Sequence, residues 1–131
     1  VLESVGGYLL LASNLKKNKK LHGEAFNFGP SSAKNYNVIF LVRSIRKYWN
    51  KVSWKIERRN KKNFFESNLL KLNSNKAKTI LKWKCILTFK ETISLVANWY
   101  KKYYLKPKQM QEISFNQIKE YEKLLMKRLI K

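Results

Sequence analysis

Val5, Tyr8, Leu9, Ala12 and Leu15 recur in steps of three and four, which predicts a helix over 2–17 with one buried face and a lysine-rich C-terminal end. Gly6 and Gly7 inside it let a neighbouring element pack closely. Residues 24–30, Glu-Ala-Phe-Asn-Phe-Gly-Pro, alternate in polarity and end in Gly-Pro, so a strand stopped by a turn is expected there, with Ser31 and Ser32 continuing the turn. Val38, Leu41, Val42, Ile45, Tyr48 and Trp49 then trace a helical stripe that breaks near Asn50. A short strand is expected over 53–57 and a polar, basic loop over 60–68. A second short strand, Leu69 to Leu72, leads to Ser74 as N-cap of a helix reaching Leu81. Residues 82–87 read as irregular.

Thr88-Phe89-Lys90-Glu91 has the spacing of a capping box, in which the Thr hydroxyl and the Glu carboxylate each satisfy one backbone N–H of a helix start. Phe89, Ile93, Val96, Tyr100 and Tyr103 share one face of the helix that follows, and Pro107 ends it. Ser114-Phe115-Asn116-Gln117 offers a second capping box, opening a helix with Phe115, Ile118, Tyr121, Leu125 and Leu129 inward. There is no internal repeat. The sum is mostly helices with a few short strands, an α/β or α+β module that leans on something larger.

At 131 residues the chain is one ordinary domain, 1–131, and its 44% hydrophobic and 14% aromatic content excludes a disordered segment. No apolar run approaches the roughly 18 residues of a membrane span. The single Cys85 cannot form an internal disulfide, and with the single His22 it cannot assemble a structural zinc site, so a reducing cytoplasm and no structural metal are expected. The chain opens at Val1 without a leader signal, which reads as part of a longer polypeptide.

A net charge of +21 ordinarily suggests nucleic acid, but here 24 Lys stand against 5 Arg, with no Asp and 13 Asn. A phosphate-reading site favours the bidentate fork of Arg. Lys and Asn share A-rich codons, so drift from G toward A turns Glu to Lys, Asp to Asn and some Gly to Lys. The charge then records mutational pressure. The runs at 16–20, 58–62 and 101–108 are spread along the chain, as solvated ends of elements would be. Against this, residues 47–65 interleave Tyr48, Trp49, Trp54, Phe64 and Phe65 with Lys and Arg, as a single-strand-binding platform would.

Four glycines make neither G-x-G-x-x-G nor a P-loop, so this stretch alone cradles no dinucleotide. Without Asp there is no ordinary hydrolytic triad, and His22 reads as a loop residue. Tyr104 to Lys108 has Y-x-x-x-K spacing, but Pro107 breaks the turn that would align the two. Lys82 and Lys84 flank Cys85 without a base beside it, which leaves an unreactive thiol. Glu66 reads on its own as a surface carboxylate among lysines.

Several segments taken together resemble the CDP-sugar 4,6-dehydratases of the extended short-chain dehydrogenase/reductase family. Val1-Leu2-Glu3 and 7–12, Gly-Tyr-Leu-Leu-Leu-Ala, are similar to the family's V-L-E-P-L-x-G-Y-L-x-L-A, with Ser4 in place of Pro. Residues 23–30 match its G-E-A-x-N-F-G-P block throughout. Glu66, 70–73 and Lys76-Ala77 resemble H-E-A-x-x-L-K-L-D-x-x-K-A. Leu81-Lys82-Trp83 and Trp99-Tyr100 resemble L-G-W and W-Y, and Met110, Gln117-Ile118 and Tyr121 continue the match.

The resemblance implies the C-terminal, substrate-binding part of such an enzyme, with the Rossmann half that holds NAD and the catalytic Tyr and Lys lying elsewhere. It implies a CDP-sugar substrate, CDP-glucose converted to CDP-4-keto-6-deoxyglucose and water, and a homo-oligomeric full enzyme. By motif position Phe65, Glu66 and Lys71 would line or border the nucleotide-sugar pocket, while catalytic, cofactor-binding and metal-binding residues are expected to be absent from this stretch. Phe65 replaces the family's His, Asn73 its Asp, Lys82 its Gly, and Cys85 a frequent Pro, changes that remove pocket hydrogen bonds and partly follow G-to-A drift. Two other readings stand beside it: a basic nucleic-acid-binding module using 47–65, and a non-catalytic remnant.

Overall fold

Each stretch with three-and-four apolar spacing contains a helix in the computed structural model of the chain, which describes residues 1–30, 35–56 and 72–129. The elements are α1 (Leu2–Lys17), α2 (Val38–Arg46), α3 (Asn75–Ile80), α4 (Phe89–Leu105) and α5 (Met110–Leu129), with 3-10 turns at Lys19–Leu21 and Pro107–Gln109. No strand forms among the described residues. The strands expected over 24–30 and 53–57 are therefore corrected: 24–30 and 53–56 run without a ladder partner, and the rest of those positions, like the loop at 60–68 and the strand from Leu69, lies outside the described residues except for Leu72. A polarity alternation marks a strand only when a neighbour supplies the ladder hydrogen bonds.

The first core gathers around α3. Leu21, Ala77, Leu81 and Trp83 are buried, with Leu10, Leu11, Leu15, Phe26 and Phe28 packed on them. The face of α1 that turns inward carries Gly7, Leu10, Leu11 and Leu15, whereas Val5, Tyr8, Leu9 and Ala12 of the expected face are exposed. Gly7 explains the rotation, because a Cβ there would lie 2.5 Å from Phe28 Cδ1, and only a bare backbone admits the ring. Phe28 is then gripped edge-on by Tyr8 at 5.6 Å and Trp83 at 5.3 Å between ring centroids.

The second core is the α4–α5 hairpin. Its cross-links pair Trp99 with Ser114, Leu95 with Gln117 and Glu91 with Arg128, so the two helices run antiparallel. The capping box at Thr88 forms as expected: Thr88 Oγ1 accepts from the Glu91 backbone N–H at 3.3 Å, and a Glu91 carboxylate oxygen accepts from the Thr88 N–H at 2.8 Å. The second expected box does not form. Pro107 seeds a 3-10 turn and α5 starts at Met110, which places Ser114 and Gln117 inside the helix. There Ser114 Oγ accepts from Trp99 Nε1 at 3.0 Å and Gln117 Nε2 donates to the Leu95 carbonyl at 2.8 Å.

Ile93 and Tyr121 are buried as their spacing predicts, with Ala97 and Ile113 beside them in the buried set, while Val96, Tyr100, Tyr103, Phe115, Ile118 and Leu129 of the expected faces are exposed. The helix α2 ends at Arg46, three residues before Trp49, where the Tyr48 N–H turns back to the Ile45 carbonyl. It packs on α4 through Tyr36, Phe40 and Phe89, whose rings stack with Tyr36 and Phe89 centroids 3.9 Å apart. No described helix is long and apolar enough to cross a membrane.

Candidate functional site

The Gly-Glu-Ala-Phe-Asn-Phe-Gly-Pro block is held against the start of α3. Gly23, at φ +79, turns the chain out of the first 3-10 helix. The Glu24 carboxylate accepts from the Lys76 ammonium, which also lies 4.9 Å over the Phe26 ring, and this pairing holds the Glu24 carboxyl below its ordinary pKa. Ser74, only 4% exposed, donates to the Gly29 carbonyl at 3.4 Å. That bond corrects its expected role: the α3 start receives no cap from the Ser74 side chain, and the Asn73 side chain accepts from the Asn75 N–H instead. The segments 23–30 and 72–77 are thereby fixed side by side. Phe65, Glu66 and Lys71 themselves lie outside the described residues.

A second polar cluster surrounds residues 86–88. The Glu3 carboxylate accepts from the backbone N–H groups of Ile86 and Leu87, at 2.8 and 2.5 Å, and from the Tyr121 hydroxyl at 3.3 Å. Burial first, and the Glu3 charge second, push the Tyr121 hydroxyl well above its ordinary range, so it remains a proton donor. From the other side Arg128 donates to the Ile86 carbonyl and forks onto Glu91 at 2.7 and 3.0 Å. The Arg128 bonds, followed by those from Thr88, hold the Glu91 carboxyl down at about 2. These groups are saturated by one another and clamp a backbone segment. The capping box revealed Glu91, but Arg128 lies 37 residues away and carries no local signal.

Lys82 adopts φ +55, a left-handed position at the close of α3, and Trp83 N–H reaches the Ala77 carbonyl at 3.2 Å. This is the position where the resembled L-G-W motif carries glycine, and a left-handed backbone is one that glycine adopts without strain. Tyr104 and Lys108 fall on different elements, α4 and the 3-10 turn, separated at Lys106, so they share no helical face. His22 Nε2 lies 3.2 Å from the Leu15 carbonyl, which accepts its proton at the end of α1. The Cys85 Sγ reaches the Leu87 carbonyl at 3.6 Å.

Among the described residues no group of three His, Cys, Asp or Glu side chains is placed to hold a metal ion. Gly6 and Gly7 lie inside α1, facing Tyr121 and Phe28. A cleft of about 390 Å³ opens between α4 and the start of α5, with Leu105 and Ile113 in its walls and Lys101, Lys102, Lys106 and Glu112 around it.

No family model matches the chain, and no solved structure matches it. Among curated proteins it is similar to CDP-glucose 4,6-dehydratase of Salmonella typhimurium, at 30% identity over 102 residues. The matched region is 77% of this chain and spans 28% of the length of that relative. The similarity gives the chain a distant link to a nucleotide-sugar enzyme of the short-chain dehydrogenase/reductase kind.

Proposed function

We propose that the chain is the C-terminal, sugar-nucleotide-binding portion of an NAD-dependent enzyme like CDP-glucose 4,6-dehydratase, inactive by itself. The observation that carries this reading is the 30% identity over 102 residues. It is supported by where the quoted motifs sit: Gly7, Phe28, Ala77, Leu81 and Trp83 are core positions, and Lys82, where the resembled motif has glycine, has a left-handed backbone. Core and turn positions diverge slowly because packing and φ restrict them. In the proposal NAD, the catalytic Tyr and Lys and the Rossmann half belong to another part of a longer, homo-oligomeric enzyme, and no step of the reaction is assigned to a residue of this chain. Phe65, Glu66 and Lys71 border the CDP-sugar pocket.

Sequencing the reading frame upstream of Val1 tests the proposal. An open frame with a glycine-rich loop after a strand and a later Y-x-x-x-K helix is the expected result. A stop codon or an unrelated frame would leave a remnant without catalysis. In the complete enzyme, Glu66→Ala is expected to weaken CDP-glucose binding, measured by titration calorimetry, and an unchanged affinity would remove Glu66 from the pocket.

A further inference from the structure

The end of α2, the chain after it and the C-terminal end of α4 bring rings and cations together where acids are missing. Residues 35–56 carry Arg43, Arg46, Lys47, Lys51 and Lys55, residues 92–111 carry four lysines, and neither stretch holds an Asp or Glu. The Trp49 ring lies 5.4 Å from Tyr104 across the two elements. Tyr104 meets Tyr103 edge-on at 5.4 Å, and Tyr103 stacks on Trp99 at 5.7 Å with planes 6° apart. Farther along, the Arg46 guanidinium sits 5.7 Å over the Trp54 ring. The outer rings remain in water: Tyr104 is 68% exposed, Tyr103 47% and Trp54 36%.

Among the described acids Glu24 is engaged by Lys76, Glu91 by Arg128 and Glu3 by the 86–87 backbone, and Glu112 is the one described acid lining the adjoining cleft, beside Lys101, Lys102 and Lys106. We propose that this surface binds single-stranded nucleic acid, its exposed rings stacking on bases and its cations following the phosphates. Exposed rings set among cations are what an unstacked strand uses, whereas a duplex offers no base faces to them. Lysine in place of arginine gives binding without sequence preference, because a point charge follows phosphates without reading base edges. The inference is independent of the dehydratase proposal.

The test uses the whole chain, with fluorescence anisotropy on a labelled oligothymidylate of about 20 nucleotides and on an abasic strand of equal phosphate count. The thymidine strand is expected to bind at least about tenfold tighter than the abasic one, and Tyr104→Ala and Trp54→Ala each to weaken it about fivefold or more at unchanged helicity, with Tyr104→Phe restoring it. The abasic strand should be indifferent to both alanine variants. Equal affinity for the two strands, or no effect of the variants, would reduce the surface to general attraction for polyanions and overturn the proposal. Tighter binding to phosphatidylserine vesicles than to the thymidine strand would also overturn it, assigning the surface to lipid.

Discussion

At the residue scale two positions report the backbone's requirements directly. Lys82 sits at φ +55, where a β-carbon crowds the following carbonyl oxygen. Lys82→Gly is expected to stabilise the chain by about 0.5–1 kcal/mol, less than the full relief because glycine also gains freedom in the unfolded chain. A rise in the thermal midpoint of about 2–4 °C would show it, and an unchanged or lower midpoint would contradict the strain. Gly7 gives the opposite sign. Alanine is the better helix former, but its Cβ would sit 2.5 Å from a Phe28 ring already wedged between Tyr8 and Trp83. Gly7→Ala should therefore destabilise by roughly 1–3 kcal/mol in urea denaturation. The glycines were legible in the sequence as sites of close approach; the identity of the approaching ring was not, since Phe28 lies 21 positions away.

Among the elements, the capping box of α4 ties local and long-range order together. Glu91 serves Thr88 within its own turn and Arg128 at the far end of α5. Its carboxyl is depressed from 4.5 to about 2, so its stabilisation is complete above pH 4.5 and is lost as pH falls from there toward 2. Glu91→Gln should flatten the acid side of the stability curve in that window, followed by circular dichroism, and an unchanged curve would show that the pair contributes nothing. The Thr88 box was readable because every partner lies within four residues. The Ser114 box misled because the same S-x-x-Q spacing also serves a helix interior, and Pro107 upstream had already started the helix. Likewise the period of α1 allowed two apolar faces, and the packing at Gly7 selected between them.

For the whole molecule, two cores are joined at residues 86–88, held by Glu3 from α1 and by Arg128 from α5. Glu3→Ala would strand the Ile86 and Leu87 N–H groups and the Tyr121 hydroxyl, at an expected cost of about 2–4 kcal/mol in equilibrium denaturation. A loss below 0.5 kcal/mol or so would mean that water replaces the carboxylate there. The junction is where a single early acid matters most in a chain with a net charge of +21. The order and type of the helices, the glycine sites, the Thr88 cap and the block at 23–30 were all present in the linear pattern, because periodicity, capping and φ restrictions act over a few neighbouring residues. Which face of α1 is buried, the absence of a ladder at 24–30, the work of Ser114 and Gln117 across the hairpin, the clamp of Glu3 and Arg128, and the joining of Trp49 to Tyr104 depended on folding. Apart from the missing ladder, each of these is a contact between residues 15 to 118 positions apart, and separation in sequence carries no information about which of many similar side chains will meet.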